Sequence, residues 1–336
     1  MPRPLVVLTD ASIRPEAEAR LRESCDVRVL PGAYPAQDVL VAACAGADAI
    51  LARLATVTRS VIEATPRLRI IARHGVGVDA VDLEAATSRG IIVTTTGALN
   101  AAAVAEYTFA LLLALARKVL QADAGMRRGA WSRDPLIGME LDGKTLGIVG
   151  LGAIGQRVAR QALGFGMRVI AHDPNVQTPA DAAIRMVSLA ELLAGADVVT
   201  LHTRFTPETF KLIDGRALAA LRPGALLVNT ARGELVDEAA LTAALGSGRL
   251  AGAALDTFGN EPLHAESPLR LLPNVVLSPH VAGQTAEALV KVGLAAADAI
   301  LDELSGRRPA HVYNCEAYAA RLARGAFAIP LLGKPG

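Results

Sequence analysis

The chain has 336 residues, and its 34 Lys and Arg against 33 Asp and Glu give a formal net charge of +1. This length predicts two domains, with three possible, and the 52% share of hydrophobic residues excludes a disordered chain. The balanced charge and the 3% share of aromatic residues argue against a nucleic acid as partner.

Cysteine usage and the N-terminus bear on the compartment. Cys25, Cys44 and Cys315 are far apart, and their spacing fits neither a metal site nor a disulfide framework. The N-terminal apolar run, at 5–8, is too short for a signal peptide. We therefore expect a cytoplasmic protein without a bound metal.

The first part of the chain alternates short apolar runs with helical patterns. The apolar runs predict five strands, at 5–8, 27–30, 49–51, 69–72 and 91–94. The segments between them predict helices at 14–24, 36–43, 60–65 and 83–88. Such alternation indicates βαβ units and a parallel sheet, in a first domain of about residues 1–98.

An Ala- and Leu-rich segment follows, over residues 100–120. It predicts one helix about 30 Å long, enough to bridge two domains or to line a subunit contact. Its uncharged stretch, 107–116, is shorter than the roughly 18 residues that a membrane span needs, so no membrane is expected as a partner. Residues 125–143 predict no regular element.

A second series of βαβ units begins at residue 144. Its strands are predicted at 145–149, 168–172, 198–202, 225–229, 251–256 and 275–278. Six strands are the number expected for a complete dinucleotide-binding sheet. A long helix is predicted at 285–304, and the residues after 310 receive no assignment. The fold class is therefore α/β, with two doubly wound parallel sheets.

A glycine motif, G-x-G-x-x-G, opens the second series. It directly follows an apolar strand and begins an amphipathic helix, which is the context of a pyrophosphate-binding turn. Gly150 permits the tight turn, Gly152 lets the backbone approach the pyrophosphate, and Gly155 lets the helix pack on the strand. Ala153 and Ile154 complete the helix N-terminus, whose N–H groups attract phosphates.

The residue that directly follows the next predicted strand bears on the choice of cofactor. Asp173 follows that strand, and a carboxylate there accepts hydrogen bonds from ribose hydroxyls and repels a 2′-phosphate. Pro174 and Asn175 provide no arginine to bind such a phosphate. The sequence therefore predicts NAD as the cofactor, the alternative being a glycine-rich packing turn with a solvated aspartate.

Three charged residues follow strands of the second series. Arg232, Glu261 and His280 come after the carboxyl ends of these strands, the edge at which open α/β sheets bind ligands. An arginine holds a carboxylate in a bidentate fork and polarises the adjacent carbonyl. A histidine exchanges the hydroxyl proton, and a glutamate on its other nitrogen fixes the tautomer. Together they predict hydride transfer between a nicotinamide and an alcohol or carbonyl carbon, although each alone is compatible with a structural role.

Five stretches carry a family resemblance. They read HGVGVDAVD (74–82), LGIVGLGAIG (146–155), LRPGALLVNTARGELVD (221–237), ALDTFGNEP (254–262) and SPHVAG (278–283). On these motifs the chain resembles the D-isomer-specific 2-hydroxyacid dehydrogenases, a family that includes phosphoglycerate dehydrogenases and glyoxylate or hydroxypyruvate reductases. The resemblance extends over roughly residues 3–315.

The resemblance implies a domain plan and a set of site residues. A discontinuous, flavodoxin-like domain of residues 1–98 and 286–336 would bind the substrate, and a Rossmann domain of residues 99–285 would bind NAD. The implied catalytic residues are Arg232, Glu261 and His280, and a homodimer is usual in the family. The backbone of Gly75, Val76 and Gly77 would bind the substrate carboxylate. Further cofactor contacts would come from Val104, His202, Thr203, Thr230, Ala231, Asp256 and Gly283.

The sequence says least about the substrate. Arg53 lies in a pattern similar to phosphoglycerate dehydrogenases, in which an arginine helps to hold the substrate phosphate. A solvent-facing Arg53 would instead favour glyoxylate or hydroxypyruvate. Two further alternatives are a non-catalytic NAD-sensing scaffold or corepressor, and a dehydrogenase of another small anion such as formate or phosphite.

Overall fold

The computed structural model describes residues 2–323, with side chains up to residue 321. The chain divides into two compact units. Unit 1 contains the described residues of Met1–Asn100 and Thr285–Gly336, and unit 2 is Ala101–Gln284. Residues 324–336, which the resemblance places in the substrate-binding domain, lie outside the described residues.

Within residues 2–323 the strands are β1 (Leu5–Leu8), β2 (Asp26–Val29), β3 (Ala49–Ala52), β4 (Ile70–Arg73), β5 (Ile92–Thr94), β6 (Thr145–Val149), β7 (Arg168–His172), β8 (Ile184–Met186), β9 (Val198–Leu201), β10 (Ala225–Asn229), β11 (Leu250–Leu255) and β12 (Val275–Leu277). The α-helices are α1 (Pro15–Arg22), α2 (Gln37–Cys44), α3 (Arg59–Glu63), α4 (Leu83–Ser88), α5 (Ala101–Ala116), α6 (Val119–Arg127), α7 (Ala153–Gly164), α8 (Leu189–Gly195), α9 (Gly215–Ala220), α10 (Glu238–Gly246), α11 (Ala286–Leu304) and α12 (Cys315–Ala323). Short 3₁₀ helices lie at Asp134–Leu136, Pro207–Thr209, Gly233–Leu235 and Pro268–Leu271.

The sheet of unit 1 has five parallel strands in the order β2-β1-β3-β4-β5. Helices α1 and α11 pack on one face of this sheet, and α2, α3 and α4 pack on the other. This strand order is that of the flavodoxin-like doubly wound fold. It confirms the predicted fold class for unit 1.

The sheet of unit 2 has seven parallel strands in the order β12-β11-β10-β9-β6-β7-β8. Helices α5 and α7 cover one face, and α8, α9 and α10 cover the other. Because β6, β9 and β10 are buried along their whole length, they appear in the sequence as continuous apolar runs. The strand order reverses between β6 and β9, and such a reversal places a ligand-binding crevice at the carboxyl ends of these strands.

The prediction of six strands for this sheet is wrong by one. The additional strand, β8, lies at the edge of the sheet and is three residues long. Only Ile184 in it is buried, so β8 lacks the apolar run that identified the other strands.

The prediction of one helix over residues 100–120 is also wrong. Helix α5 ends at Ala116 and α6 begins at Val119, because Lys118 adopts a left-handed conformation with φ +53°. The cause is a tertiary contact, in which the N–H of Met139 donates to the C=O of Ala116 at 2.8 Å. Gly138 packs so closely that a Cβ on it would overlap this carbonyl.

Candidate active site

The glycine turn after β6 lies where the strand order of unit 2 reverses. Gly150 has φ +93°, and a Cβ on it would lie 2.7 Å from backbone atoms of His202. A Cβ on Gly155 would overlap the C=O of Gly150. Close packing of backbone on backbone therefore requires glycine at both positions.

The N-terminus of α7 is open toward a ligand. Gly152 is the N-cap residue, and no side chain among the described residues caps the first turn, which begins with Ala153 and Ile154. A Cβ on Gly152 would meet no atom within 4 Å, so there is open space at this helix end. Free N–H groups next to open space fit the phosphates of a dinucleotide.

Asp173 and His202 adjoin this turn. Asp173 accepts the N–H of Leu151 at Oδ2 (2.8 Å) and the N–H of Asn175 at Oδ1 (2.9 Å). His202 Nε2 lies 2.9 Å from Thr200 Oγ1, whereas its buried Nδ1 has no partner among the described residues. Burial lowers the pKa of His202 to about 3, so the ring is neutral at pH 7. The carboxylate anchors the glycine turn, whereas the contact of His202 with a cofactor stays a prediction.

Arg232 follows β10 in a tight turn. Asn229, the last residue of the strand, accepts the N–H of Ala231 at Oδ1 (3.0 Å) and donates from Nδ2 to the C=O of Arg232 (2.8 Å). Arg232 Nη1 donates to the C=O of Ala231 at 2.7 Å. Because both backbone groups of Ala231 bond within the chain, its contact with the cofactor stays a prediction.

The loop after β11 orients Glu261. Its Oε1 accepts the N–H of Phe258 at 3.0 Å, and its Oε2 lies 2.7 Å from His280 Nδ1. Burial raises the pKa of Glu261, but the hydrogen bond and charge of His280, the Phe258 N–H and the charge of Arg232 outweigh burial and bring the pKa below its ordinary value. Glu261 is therefore ionised at neutral pH and engages Nδ1 of His280 rather than Nε2.

His280 has a backbone conformation that is uncommon for a residue with a side chain. Its φ of +53° is left-handed, and such strain is maintained only by surrounding contacts. The N–H of His280 donates to the C=O of Asp256 at 2.8 Å. The fully buried Asp256 carboxylate accepts the Ser278 hydroxyl and the N–H groups of Val281 and Ala282 at 2.6, 2.9 and 2.8 Å. Asp256 thus fixes the chain on both sides of His280, and its contact with a carboxamide stays a prediction.

A glycine allows the turn that carries the arginine to approach the loop that carries the glutamate. A Cβ on Gly233 would overlap the backbone of Phe258 and Gly259. Glu238, the first residue of α10, also binds this loop, since its Oε1 accepts the N–H of Gly259 at 2.7 Å. The turn of Arg232 and the loop of Glu261 therefore pack backbone against backbone.

Helix α5 contributes Val104, which is buried. Thr108 Oγ1 donates to the C=O of Val104 (2.8 Å) and lies 2.9 Å from Thr230 Oγ1. The structure thereby links two of the residues that the resemblance assigns to the cofactor. Thr203 and Gly283 lie in the segments after β9 and β12, and their contacts with a cofactor stay predictions.

Sequence reasoning missed four residues that shape this site. Asn229 and Thr108 are polar residues within apolar runs, and a buried polar group needs hydrogen-bond partners, so both left a usable signal. Gly233 and Glu238 left none, because their roles depend on a loop that is distant in the chain.

Unit 1 contains Gly75, Val76 and Gly77, at which the resemblance predicts a nest for the substrate carboxylate. The C=O of Gly75 accepts the N–H of Thr96, and the C=O of Gly77 accepts from Arg73 Nε, each at 3.0 Å. Within residues 2–323 the N–H groups of Gly75, Val76 and Gly77 meet no acceptor. Successive free N–H groups of this kind are suited to an anion.

Arg53 follows β3 and is only 9% exposed, so it is not a solvent-facing residue. Its Nη1 donates to Ser12 Oγ and lies 4.0 Å from Asp10 Oδ2. Its backbone N–H donates to Thr9 Oγ1 at 3.2 Å. The Nε and Nη2 groups meet no acceptor within the described residues, which leaves donors for a ligand oxygen.

Comparison with known proteins identifies the family. Residues 109–282, more than half of the chain, match the model described as "D-isomer specific 2-hydroxyacid dehydrogenase, NAD binding domain". The chain belongs to the D-isomer specific 2-hydroxyacid dehydrogenase family. The matched residues lie within unit 2. Because the model is that of an NAD-binding domain, the cofactor of this chain is a nicotinamide dinucleotide.

Relatives and solved structures extend this result. A D-3-phosphoglycerate dehydrogenase of Mycobacterium tuberculosis is 45% identical over 310 residues, 91% of this chain and 58% of that protein. This chain therefore spans little more than half the length of that relative. A solved protein of Thermus thermophilus is 40% identical, with a TM-score of 0.86 over 92% of this chain and 99% of its own. An NADPH-dependent glyoxylate/hydroxypyruvate reductase of Sinorhizobium meliloti, solved with NADP and malonate, is 32% identical with a TM-score of 0.82, over 94% of this chain and 98% of its own.

Residues 2–323 contain neither a membrane-spanning helix nor a candidate metal cluster. None of the helices within residues 2–323 combines the length and apolar character that crossing a membrane requires. The same residues contain no cluster of three or more His, Cys, Asp or Glu arranged to hold a metal ion.

Proposed function

We propose that the protein is an NAD-dependent dehydrogenase that transfers a hydride between nicotinamide and C2 of a D-2-hydroxy acid or its 2-keto acid. The observation that carries the proposal is the 2.7 Å pair of Glu261 and His280, on whose carboxylate the charge of Arg232 also acts. A carboxylate–imidazole pair suits a substrate that exchanges a hydroxyl proton. Formate oxidation releases no such proton, and a non-catalytic scaffold needs none of the three residues.

The proposal gives His280, Glu261 and Arg232 different roles in the reaction. In keto-acid reduction His280 Nε2 delivers a proton to the carbonyl oxygen, and in the reverse direction it accepts the hydroxyl proton. Glu261 engages Nδ1 and orients the ring of His280. Arg232 binds the substrate carboxylate and polarises the reacting carbonyl. When bound, the nicotinamide supplies or accepts the hydride.

A turnover screen tests this assignment. NADH oxidation is followed with glyoxylate, hydroxypyruvate, pyruvate, phenylpyruvate and 3-phosphohydroxypyruvate, and NAD reduction with formate and phosphite. We expect turnover of at least one keto acid. Turnover of formate or phosphite alone, or of none of these compounds, would refute the proposal.

The cofactor preference that we propose is NAD over NADP, because the Asp173 carboxylate would repel a 2′-phosphate. We expect Asp173→Asn to raise the ratio of kcat/KM for NADPH to that for NADH by roughly tenfold. Asparagine removes the charge and keeps an oxygen for the N–H of Leu151. Steady-state kinetics with both cofactors measure the ratio.

Asp181→Asn is the matched control for this substitution. Asp181 is exposed, lies in the segment after the same strand, and accepts the N–H of Ala183 as Asp173 accepts that of Asn175. The control should leave the ratio unchanged. An unaltered ratio in Asp173→Asn would remove Asp173 from cofactor selection.

We propose that the nest at Gly75–Gly77 in unit 1 contributes to binding the substrate carboxylate. The first candidate substrate is 3-phosphoglycerate with its keto acid, since relatives at 45% identity are D-3-phosphoglycerate dehydrogenases and the free donors of Arg53 suit a phosphate. The second candidate is glyoxylate or hydroxypyruvate, because Asp10 lies 4.0 Å from Arg53 and already compensates its charge.

Arg53→Gln distinguishes the two candidates. If Arg53 holds a phosphate, the substitution should raise KM for 3-phosphohydroxypyruvate by roughly 10- to 100-fold, the effect of losing a charged hydrogen bond, and leave KM for glyoxylate unchanged. Arg67→Gln is the control, because Arg67 pairs with Asp48, which directly precedes β3, whereas Arg53 directly follows β3. Equal changes in KM for both acids would exclude a phosphate role.

We further propose a homodimer in a reducing cytoplasm. Exposed apolar side chains surround a groove of about 420 Å³ on α6 and the segment after it, where Trp131 is 75% exposed and Met126 and Leu136 line the groove. A second copy would bury this surface. Light scattering should give twice the chain mass, and Trp131→Ser should shift the mass toward that of one chain.

The unpaired thiols of Cys25, Cys44 and Cys315 support the proposal of a reducing cytoplasm as the compartment of this protein.

A further inference from the structure

We infer that Asn229 is a positioning residue for Arg232, an inference that rests on the proposed function. Asn229 is at the carboxyl end of β10 and is only 1% exposed. An amide buried so deeply requires hydrogen-bond partners, and both of its polar atoms bond to the turn that presents Arg232.

The two hydrogen bonds act on the peptide unit before Ala231 and on the peptide unit after Arg232. Oδ1 of Asn229 accepts the N–H of Ala231 (3.0 Å), and Nδ2 donates to the C=O of Arg232 (2.8 Å). One planar amide therefore holds the backbone at both ends of the two-residue segment Ala231–Arg232. No proline is present between residues 229 and 233 to restrict the turn in its place.

The backbone of Asn229 is held in place by the neighbouring strands. β10 pairs with β9 on one side and with β11 on the other, and the C=O of Asn229 accepts the N–H of Asp256 at 2.9 Å. The same Asp256 fixes the chain around His280. The amide thus ties the position of the arginine to the strand ends that also position the histidine.

The loop of Glu261 also limits the position of the Arg232 turn. Gly233 packs against the backbone of Phe258 and Gly259 with no room for a Cβ, so the turn cannot move toward the loop of Glu261. Loss of the Asn229 hydrogen bonds would remove two contacts that hold the turn to the end of β10. A displacement of about 1 Å in a group that orients a substrate costs on the order of 100-fold in rate.

A double-mutant cycle tests the inference. Asn229→Ser and Arg232→Ala are made singly and together, and three quantities are measured: kcat/KM for the keto acid, the Kd of oxamate for the NADH-bound protein, and the Kd of NADH. We expect Asn229→Ser to lower kcat/KM by roughly 100-fold and to weaken oxamate binding, with the Kd of NADH unchanged. In the Arg232→Ala background the further effect on both should be small, about threefold or less.

Controls separate positioning from stability. Asn274, which directly precedes β12, also donates an amide-to-carbonyl hydrogen bond in unit 2, to the C=O of Leu245. Asn274→Ser removes this bond and should change none of the three quantities. If Asn229→Ser does not fold, Asn229→Asp replaces it, because it keeps the volume and places an oxygen against the C=O of Arg232. Thermal unfolding confirms that each variant is folded.

The outcomes are distinguishable. Equal effects of the Asn229 substitution with and without Arg232, or an equal loss of NADH binding, would overturn the positioning role and leave the proposed function intact. A wild-type protein that turns over no keto acid would overturn both. Non-additive losses confined to keto-acid turnover and oxamate binding support the inference.

Discussion

Replacing His280 with asparagine should lower kcat for keto-acid reduction by about a thousandfold, within the range expected for losing a general acid. Asparagine tolerates the left-handed backbone that His280 adopts at φ +53°, so the loop should keep its conformation. The asparagine amide does not titrate near neutral pH and therefore cannot act as a general acid. The Kd of NADH should not change, because the glycine turn after β6 is untouched. Steady-state kinetics and fluorescence titration measure the two quantities.

His264→Asn is the control for this substitution. His264 is exposed, lies in the loop that follows Glu261, and its Nδ1 is within 3.3 Å of the Glu266 backbone nitrogen. It should retain the wild-type kcat, which would show that loss of a nearby imidazole is not sufficient. A His280→Asn protein with wild-type kcat would contradict the proton-transfer role.

The second large effect is expected from Gly233→Ala. The added methyl group would overlap the backbone of Phe258 and Gly259, and neither backbone is the flexible end of a side chain that could move away cheaply. The turn of Arg232 and the loop of Glu261 must therefore separate. We expect the free energy of unfolding to fall by about 1–3 kcal/mol, the usual cost of overpacking. A separation of about 1 Å should lower kcat/KM by roughly 100-fold.

Gly246→Ala is the matched control. Gly246 ends α10, and a Cβ on it would meet no atom within 4 Å. Alanine there should leave kcat/KM unchanged and should not reduce the free energy of unfolding, since alanine favours a helix more than glycine does. Denaturant unfolding and steady-state kinetics test both variants. Equal behaviour of the two alanine variants would show that the approach at Gly233 is not needed.

Local pattern sufficed for much of the fold. The glycine motif and the buried strands β6, β9 and β10 were predictable, because a strand buried on both faces is predominantly apolar and a pyrophosphate turn needs glycine at set spacings. The strand ends also located Arg232, Glu261 and His280, since the carboxyl ends of parallel strands share one edge. The break at Lys118 and the edge strand β8 were not predictable, because the first follows from a contact with Met139 and the second has one buried residue.

By itself, the amino-acid sequence determined the α/β class, the order of strands along the chain and the residue types that suit hydride chemistry. It could do so because apolar periodicity and motif spacing are local properties. Only the tertiary structure decided that Asn229 bonds to the turn of Arg232, that Asp256 braces the segment of His280, and that Gly233 admits the loop of Glu261. These arrangements depend on distances between backbone segments that the fold brings together, and such distances leave no periodic trace in the order of residues.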